Sequence, residues 1–296
     1  MPKLGGIPIF IAFIVGAVLS LRFFPIDSGS ADATLLTGVM LGVSFVFLGG
    51  LLDDYFDLPW WGQYAIQIVA TLIAVSYNII FEAVTSPING QIINLNEFLP
   101  ALIVPLITII WVSGMMNTVN WLDGLDGLAA GVGTIAALLF AWHSYNLGQV
   151  TVAAFPLALA GALLGFLIFN FSPARIFLGS AGAYLIGFSL ATLALITPAK
   201  IATALLVMAI PILDVAWQIF DRIRRGQSPF HGDRGHLHFR LSDGGLPTRV
   251  IVIGYYVASA VFGLVAIFAP GLWKLILLLA LTVVVLGSLR WLSNRA

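Results

Sequence analysis

Long apolar runs separated by short polar segments make up almost the whole chain. A helix needs about 20 apolar residues to cross the hydrocarbon core of a bilayer, and a backbone in lipid must satisfy its own amides, which favours helices over strands. Ten runs approach that length: 7–24, 35–52, 61–81, 99–119, 128–145, 152–171, 181–196, 201–220, 250–268 and 272–292. The pattern predicts an all-α polytopic membrane protein with about ten transmembrane helices, forming a single domain over residues 1–296.

The polar segments that carry most of the charged and amide side chains each follow an even number of apolar runs. Because every run would carry the chain across the bilayer, these segments are expected to meet at one membrane face. They are PKLGG at 2–6, LDDYFD at 52–57, NTVNWLDGLDG at 117–127, FSPARIFLGSAG at 171–182 and DRIRRGQSPFHGDRGHLHFR at 221–240. The sequence therefore predicts one polar site assembled from five distant segments.

Composition and charge narrow the class of protein and its orientation. Hydrophobic residues make up 60% of the chain and charged residues 9%, against about 25% charged residues in an ordinary soluble domain, which excludes a water-soluble fold. Of 13 lysine and arginine residues, all but Arg22, Lys200 and Lys274 fall on the face that carries the polar segments. The positive-inside rule then predicts that this face is cytoplasmic. The absence of cysteine removes disulfides, thiolate catalysis and soft-metal sites.

Two adjacent acids end the second apolar run, and a third follows one turn later. If the helix continued, Asp53 and Asp54 would share a face with Asp57, at spacings of four and three residues. Carboxylates crowded at a lipid boundary repel one another, so they favour a nearby cation or a phosphate-bound metal. The alternative is a solvated helix end that merely stops the span.

Amide and acid side chains recur every three residues after the fourth run, at Asn117, Asn120, Asp123 and Asp126. On a helix, this spacing forms a polar stripe that drifts around one face. Carboxylate and amide oxygens suit a hard cation such as Mg²⁺, which binds jointly to protein and substrate phosphates. An Asp-Gly turn pair at a helix start would explain the glycines of this segment but not its two asparagines.

The long polar loop after the eighth run is rich in arginine and histidine. Arginine matches phosphate oxygens bidentately, and His236 and His238 would face the same way if the segment is extended. We therefore expect a phosphorylated substrate here. A solvated positive-inside loop would explain the arginines at 222–225, but it explains Asp233 and Arg234 poorly. Zinc binding is a weaker alternative, because no cysteine accompanies the histidines.

Two other polar residues lie within apolar runs. Asp214, near the end of the eighth run, is expected to be functional, although pairing with an arginine would also account for it. His143 lies next to Trp142 at the opposite face and is expected to be an interfacial residue.

Taken together, the polar segments resemble those of the polyprenyl-phosphate N-acetylhexosamine-1-phosphate transferases, integral membrane enzymes that start peptidoglycan lipid, teichoic acid and O-antigen synthesis. The matching stretches are PKLGGIPIF, GGLLDDYFDL, NTVNWLDGLDGLAAG, FNFSPARIFLGSAG and PFHGDRGHLHFRL, in the family's order. The DRGHLH form looks closer to the teichoic-acid and O-antigen initiators than to the peptidoglycan enzyme. The resemblance implies a multi-pass protein of the bacterial inner membrane with a cytoplasmic active site.

The resemblance also implies a reaction, in which N-acetylhexosamine 1-phosphate moves from a UDP-sugar such as UDP-N-acetylglucosamine to undecaprenyl phosphate, with release of UMP. Its cofactor would be Mg²⁺, with Mn²⁺ as an alternative. The expected partners are UDP-N-acetylhexosamine, polyprenyl phosphate and the lipid bilayer, with no nucleic acid, and a homodimer is left open. We expect Asp53, Asp54 and Asp123 to be catalytic, Asn120 and Ser180 to hold the metal, and Lys3, Asn117, Asp126, Arg234, His236 and His238 to bind substrate.

The chain departs from the family pattern at several points. Ser180 stands where the family has an aspartate that binds Mg²⁺, and a neutral hydroxyl attracts a divalent cation less strongly than a carboxylate does. Phe239 replaces a further histidine, and no lysine follows Pro59. The family's first membrane helix and the basic loop after it have no counterpart before Pro2, as expected for either a shortened protein or an incomplete reading frame.

Two other functions stay open from the sequence. Ser180 is compatible with a catalytically impaired homologue that still binds nucleotide sugar or polyprenyl phosphate. A membrane transporter could instead use the acids as a coupling path. Alternating-access carriers usually place their site near the bilayer midplane, often between inverted repeats, whereas the acids of this chain cluster at one face.

Overall fold

The computed structural model describes residues 3–27, 29–196, 199–228 and 234–293. Within these ranges a two-stranded antiparallel sheet pairs β1 (Ala83–Thr85) with β2 (Ile92–Asn94). The α-helices are α1 (Gly6–Phe23), α2 (Ala31–Phe56), α3 (Trp60–Ser76), α4 (Ile103–Leu122), α5 (Leu128–Asn146), α6 (Val150–Asn170), α7 (Gly179–Leu195), α8 (Ala199–Val207), α9 (Ala209–Arg224), α10 (Leu237–Asp243), α11 (Thr248–Phe268) and α12 (Gly271–Ser293).

Every predicted apolar run lies on a helix, so the predicted all-α polytopic membrane class is confirmed. Seven of the described helices are long and apolar enough to cross a membrane, and counting α8 and α9 as one bent span gives eight. Helices α3 and α7 have only 17 residues each. The predicted count of ten crossings is not reached by helix length, because two runs form short helices and a third is bent.

The eighth predicted run is interrupted rather than continuous. Helices α8 and α9 meet at Met208 with a bend of 74°. Pro211 lies in the first turn of α9. In a continuous helix its ring would clash with the carbonyl of Val207, and it has no amide hydrogen to donate. Proline at this position accounts for the break.

Helix α7 lies at the centre of the bundle. Of its 17 residues, those from Ala181 to Leu195 are all buried, and it packs against α1, α2, α4 and α5. Two close approaches depend on glycine. A side chain at Gly50 would collide with the backbone of Ala181, and one at Gly187 would lie 2.5 Å from the Cα of Met116. Helices α2 and α4 can therefore lie directly against α7.

The described parts of all five polar segments lie at one end of the bundle, where Gly124 of the third segment meets His238 of the fifth. Helices α2, α4 and α6 end there and α7 begins there, whereas the β1–β2 hairpin, which follows α3 and precedes α4, lies at the opposite end. The N-terminal segment is tied to the same place, since the amides of Gly5 and Gly6 donate to the carbonyls of Phe177 (2.9 Å) and Leu178 (3.1 Å). This end carries the candidate site.

Candidate active site

A cavity of about 390 Å³ opens where α2 and α4 end and α7 begins. Its walls carry carboxylates, amides, one ammonium group and one hydroxyl, which is unusual in a chain with 9% charged residues. Polar side chains of this kind in a membrane protein mark a functional site. They belong to Lys3, Asp54, Asn120, Asp123, Asp126, Asn170 and Ser180.

Asp54 connects the end of α2 to the beginning of α7. Its carboxylate accepts hydrogen bonds from the backbone amides of Ser180 (2.8 Å) and Ala181 (3.0 Å), two of the amides that a helix start leaves without an intrahelical partner. Gly179 precedes them with φ +74°, and a side chain there would lie 2.6 Å from Oδ2 of Asp54. Only glycine therefore allows the carboxylate to approach this closely.

Asp53, although adjacent, faces away from the cavity. It is 4% exposed and accepts hydrogen bonds from the Leu58 amide (3.1 Å), the Gln63 side chain (3.1 Å) and the Tyr184 hydroxyl (3.3 Å). These contacts fix the turn between α2 and α3. The structure thus places Asp53 in a supporting position, while only Asp54 of the pair reaches the cavity.

Asp57 does not share a face with the other two acids. Helix α2 ends at Phe56, and Asp57 adopts a left-handed conformation with φ 47°, so the condition for a shared face is not met. Its carboxylate pairs with the Lys3 ammonium at 3.7 Å, and both side chains are largely exposed. An exposed pair of this kind contributes little to stability.

Asp123 follows the last residue of α4 and has two acids as neighbours. Burial raises the pKa of its carboxyl well above the usual range, and the charges of Asp54 and Asp126 raise it further, while the Gly179 amide acts in the opposite direction. A carboxyl in such surroundings is stabilised by a proton or by a nearby cation. The cavity is therefore electronegative and favours a cation at Asp123.

The two asparagines of the stripe have different surroundings. Asn120 lines the cavity, whereas Asn117 faces α3 and exchanges two side-chain hydrogen bonds with Gln67 (2.9 and 3.1 Å). Asn117 also donates to the carbonyl of Ser113 at 2.9 Å. The structure therefore brings Asn120 to the acids and leaves Asn117 as a link between α3 and α4.

Asn170, which none of the sequence motifs singled out as functional, organises one wall of the cavity. It is 2% exposed, accepts from the Gly127 amide at 3.1 Å and donates to the Ile176 carbonyl at 2.9 Å. Nearby, Oδ2 of Asp126 accepts from the Ala174 amide at 2.9 Å. These bonds join the turn after α4 to the loop before α7. The sequence feature that could have indicated this role is a polar asparagine at the end of an apolar run.

The histidines of the long loop lie behind the cavity wall. Asp214 accepts the Nδ1–H of His236 (2.9 Å) and the amide of Leu237 (3.0 Å). The segment is not extended, because α10 begins at Leu237, yet the rings of His236 and His238 stack with centroids 5.7 Å apart. A side chain at Gly124 would collide with Nε2 of His238. The histidine pair therefore touches the cavity wall from outside.

Both histidines are buried, with 3% exposure for His236 and 1% for His238. Burial lowers the pKa of His238 to about 4, although the Asp214 charge acts in the opposite direction, so this ring is neutral at physiological pH. No described residue hydrogen bonds to Nε2 of His236 or to either ring nitrogen of His238. Buried polar atoms are ordinarily paired, so this loop retains capacity for a polar partner.

Arg234 does not line the cavity. Its guanidinium pairs with Asp243 at 2.8 Å near the surface and lies 4.8 Å above the Phe239 ring. His231 and Asp233 of the same loop lie outside the described residues. Substrate binding by Arg234 stays a prediction.

Within the described ranges, no group of three or more histidine or acid side chains is placed to hold a metal ion. The cavity instead presents the Asn120 amide, the Asp123 carboxylate and the Ser180 hydroxyl. Mg²⁺ commonly binds through one or two carboxylates together with water and substrate phosphates. This set of donors therefore fits an ion shared with a phosphorylated ligand.

Sequence comparison with known proteins identifies the family. The profile of glycosyl transferase family 4 matches residues 36–198, more than half of the chain, from α2 to the end of α7. The chain belongs to glycosyl transferase family 4. It is a multi-pass membrane transferase, and the resemblance drawn from its motifs is confirmed.

Several relatives of this family 4 transferase match most of its length. A probable undecaprenyl-phosphate N-acetylglucosaminyl 1-phosphate transferase of Bacillus subtilis is 30% identical, over 90% of this chain and 73% of the relative. The decaprenyl-phosphate N-acetylglucosaminephosphotransferase of Mycobacterium tuberculosis is 33% identical, over 88% and 71%. A phospho-N-acetylmuramoyl-pentapeptide-transferase of Heliobacterium modesticaldum is 34% identical, over 88% and 80%. The chain is therefore about equally similar to the N-acetylglucosamine phosphate transferases and to the phospho-N-acetylmuramoyl-pentapeptide-transferase.

Proposed function

We propose that this family 4 protein transfers N-acetylhexosamine 1-phosphate from a UDP-sugar to a polyprenyl phosphate and releases UMP. The observation that carries the proposal is the electronegative cavity in which Asp54, Asn120, Asp123 and Asp126 meet next to Lys3. The names of two relatives, which specify N-acetylglucosamine and a polyprenyl phosphate, support the substrate class. We therefore expect UDP-N-acetylglucosamine as the first donor to test.

The acceptor needs little activation in this reaction. A phosphate monoester has a second pKa of about 6 and is largely dianionic near neutral pH. One of its oxygens forms a bond to the β-phosphorus of the UDP-sugar, and the bond from that phosphorus to the bridging oxygen breaks, so UMP leaves with the electron pair. The tasks of the protein are positioning and neutralisation of charge.

The residues of the cavity divide these tasks. Asn120, Asp123 and Ser180 would hold a divalent cation, Mg²⁺ or Mn²⁺, which when bound would neutralise phosphate charge. Lys3 is the ammonium group at the cavity and would attract a phosphate. Asp54 holds the start of α7, and with it Ser180, in place.

The direct test supplies purified protein with UDP-N-acetylglucosamine, undecaprenyl phosphate and Mg²⁺, and follows both UMP and the lipid-linked sugar. We expect equal amounts of the two products, no product without the lipid, and loss of product on chelation. UMP formed without lipid product would contradict transfer. If neither the native protein nor a Ser180→Asp variant forms product from any UDP-N-acetylhexosamine, the proposed reaction is wrong.

Ser180 favours a second candidate, a homologue that binds nucleotide sugar or polyprenyl phosphate with little turnover. Its neutral hydroxyl lines the cavity beside Asp54 and Asp123, where a carboxylate would add attraction for a cation. Calorimetric binding of UDP-N-acetylglucosamine without UMP release, together with activity gained by Ser180→Asp, would support this candidate. Comparable turnover by both proteins would exclude it.

We also propose that the cavity faces the cytoplasm across a bacterial inner membrane, as the distribution of basic residues suggests. The absence of native cysteine allows a clean test with two single substitutions. They are Gln227→Cys, in the histidine loop between α9 and α10, and Glu97→Cys, next to the hairpin. In intact cells an impermeant maleimide should label only the cysteine at Glu97. The reverse pattern would invert the orientation.

A further inference from the structure

A second cavity, of about 180 Å³, lies at the end of the bundle opposite the acidic cavity. It is bounded by the β1–β2 hairpin, α8 and α12. Its inner part is apolar, with Ala202 and Leu206 from α8 facing Leu275 and Leu278 from α12. The shape is a narrow apolar slot between two helices.

The mouth of this slot is polar, in contrast to its walls. Thr85 and Ser86 of the hairpin bring hydroxyl groups, and Lys274 brings an ammonium group from the first turn of α12. The Oγ of Ser86 accepts from the Ile88 amide at 3.4 Å, which leaves its hydroxyl hydrogen free to donate. The Lys274 side chain is half-buried and makes no ion pair with a described residue.

The turn of the hairpin touches α12 at this point. A side chain at Gly271 would lie 2.6 Å from the carbonyl oxygen of Pro87, so the two segments are in direct backbone contact. The next residues of α12, Leu272 and Trp273, are 51% and 61% exposed, as expected at the level of lipid head groups, where tryptophan is enriched. The slot is therefore preformed and opens at the edge of the membrane.

We propose that this slot binds one anionic glycerophospholipid, with its phosphate at Lys274 and the two hydroxyls and one acyl chain between α8 and α12. A basic side chain at the level of the head groups attracts anionic lipid phosphates, and the described residues offer Lys274 no acidic partner. The apolar walls match a hydrocarbon chain. This lipid site is separate from the acidic cavity, and its occupation does not depend on the proposed transfer reaction.

Lysine snorkelling is the simpler alternative, in which the long side chain of Lys274 only reaches the aqueous interface. In that case the lysine would attract anionic lipids diffusely, as any basic residue at the same membrane face does. Arg22, exposed at the end of α1 on this face, does not line this slot and is the matched control.

The test measures lipid retention by native mass spectrometry on the full-length protein in detergent, with added palmitoyl-oleoyl phosphatidylglycerol or phosphatidylcholine. We expect the native protein to retain one phosphatidylglycerol in preference to phosphatidylcholine. Lys274→Gln should weaken this retention roughly fivefold, while Lys274→Arg and Arg22→Gln should keep it. Ala202→Phe, which fills the slot and keeps the charge, should also reduce retention.

Two outcomes would overturn the proposal. One is unchanged phosphatidylglycerol preference in Lys274→Gln, or an equal loss in Arg22→Gln, since either means diffuse attraction. The other is full retention by Ala202→Phe, since the acyl chain would then lie elsewhere. A monodisperse size-exclusion profile and an unchanged thermal midpoint without added lipid establish that each variant is folded.

Discussion

Two regions are built in the same way but differ in polarity. One is the acidic cavity lined by Asp54, Asp123 and Asp126, and the other is the histidine loop around Asp214. In each, a carboxylate of one helix accepts hydrogen bonds from the beginning of a later helix. Asp54 holds α7 through the amides of Ser180 and Ala181, and Asp214 holds α10 through the amide of Leu237. The partial positive charge at a helix start favours both contacts.

The two carboxylates differ in their neighbours. Asp54 borders a cavity shared with Asp123 and Asp126, whereas Asp214 is 3% exposed and its neighbours are His236 and His238. These two carboxylates, each of which caps the beginning of a later helix, therefore determine which distant segments meet. The side chains around each cap decide whether the meeting point is an electronegative cavity or a closed cluster with neutral His238.

The largest expected effect comes from removing the charge of Asp123. Asp123→Asn keeps the size of the side chain but removes the carboxylate that favours a cation, so kcat for UMP release should fall on the order of a hundredfold or more. Steady-state kinetics of lipid-linked product formation measure this. Glu97→Gln, an exposed acid near the hairpin, should stay within twofold of the native rate. An Asp123→Asn variant within a few-fold of native would contradict an electronegative catalytic cavity.

The buried histidines His236 and His238 should make the folded protein less stable in acid. The pKa of His238 is about 4 in the folded protein and about 6.5 in an unfolded chain. The free energy of unfolding should therefore be highest above about pH 6.5, where His238 is neutral in both states. It should fall by up to about 3 kcal/mol as the pH falls towards 4.

Equilibrium unfolding in detergent at neutral pH and near pH 5 measures this loss of stability. His238→Gln should remove the loss of unfolding free energy between neutral pH and pH 5 that is due to His238. His143→Gln, a buried histidine beside Thr203 at the opposite end, should leave it in place. Equal pH dependence in native protein and His238→Gln would show that the His238 ring is not held neutral.

Gly179→Ala tests the contact between Asp54 and α7. Alanine at φ +74° is strained by about 1–2 kcal/mol, and its Cβ would also meet the Asp54 carboxylate. Gly148→Ala is the matched control, because Gly148 has φ +76° and no atoms close to a Cβ. We expect Gly179→Ala to lower the thermal midpoint more than the control and to reduce activity as well. Equal shifts would mean that the carboxylate contact is unimportant.

Asp214→Asn tests the cap of the histidine loop. The amide can still accept from Leu237 but no longer offers His236 a negative charge, so kcat/KM should fall about tenfold and its pH profile should change. Asp221→Asn removes another buried acid of α9, paired with Arg225 at 2.8 Å, and should leave the pH profile unchanged. If the two variants have the same pH profile, Asp214 does not act on the activity through His236.

Asp57→Asn should have the smallest effect. Its carboxylate is exposed and only pairs with Lys3 at 3.7 Å, so the free energy of unfolding should change by less than about 1 kcal/mol. Activity should stay within twofold of native. A larger loss would mean that Asp57 joins Asp54 at the cavity when substrate is bound.

The sequence alone determined the membrane class, the helices and the end of the bundle at which the polar segments gather. These follow from local chemistry, because apolar runs in lipid must be helical and each crossing reverses the side on which the next segment lies. The break in the eighth run was also accessible, since Pro211 cannot continue a helix.

Tertiary packing decided which of the polar side chains face the cavity. Asp53 and Asp54 are neighbours in sequence, but successive helix residues point about 100° apart, and the position of α7 alone selects Asp54. Packing against α3 likewise directs Asn117 to Gln67, while Asn120 reaches the acids. Helix formation depends on each segment by itself, whereas the direction of a side chain acquires meaning only from the neighbouring helix, which no local pattern specifies.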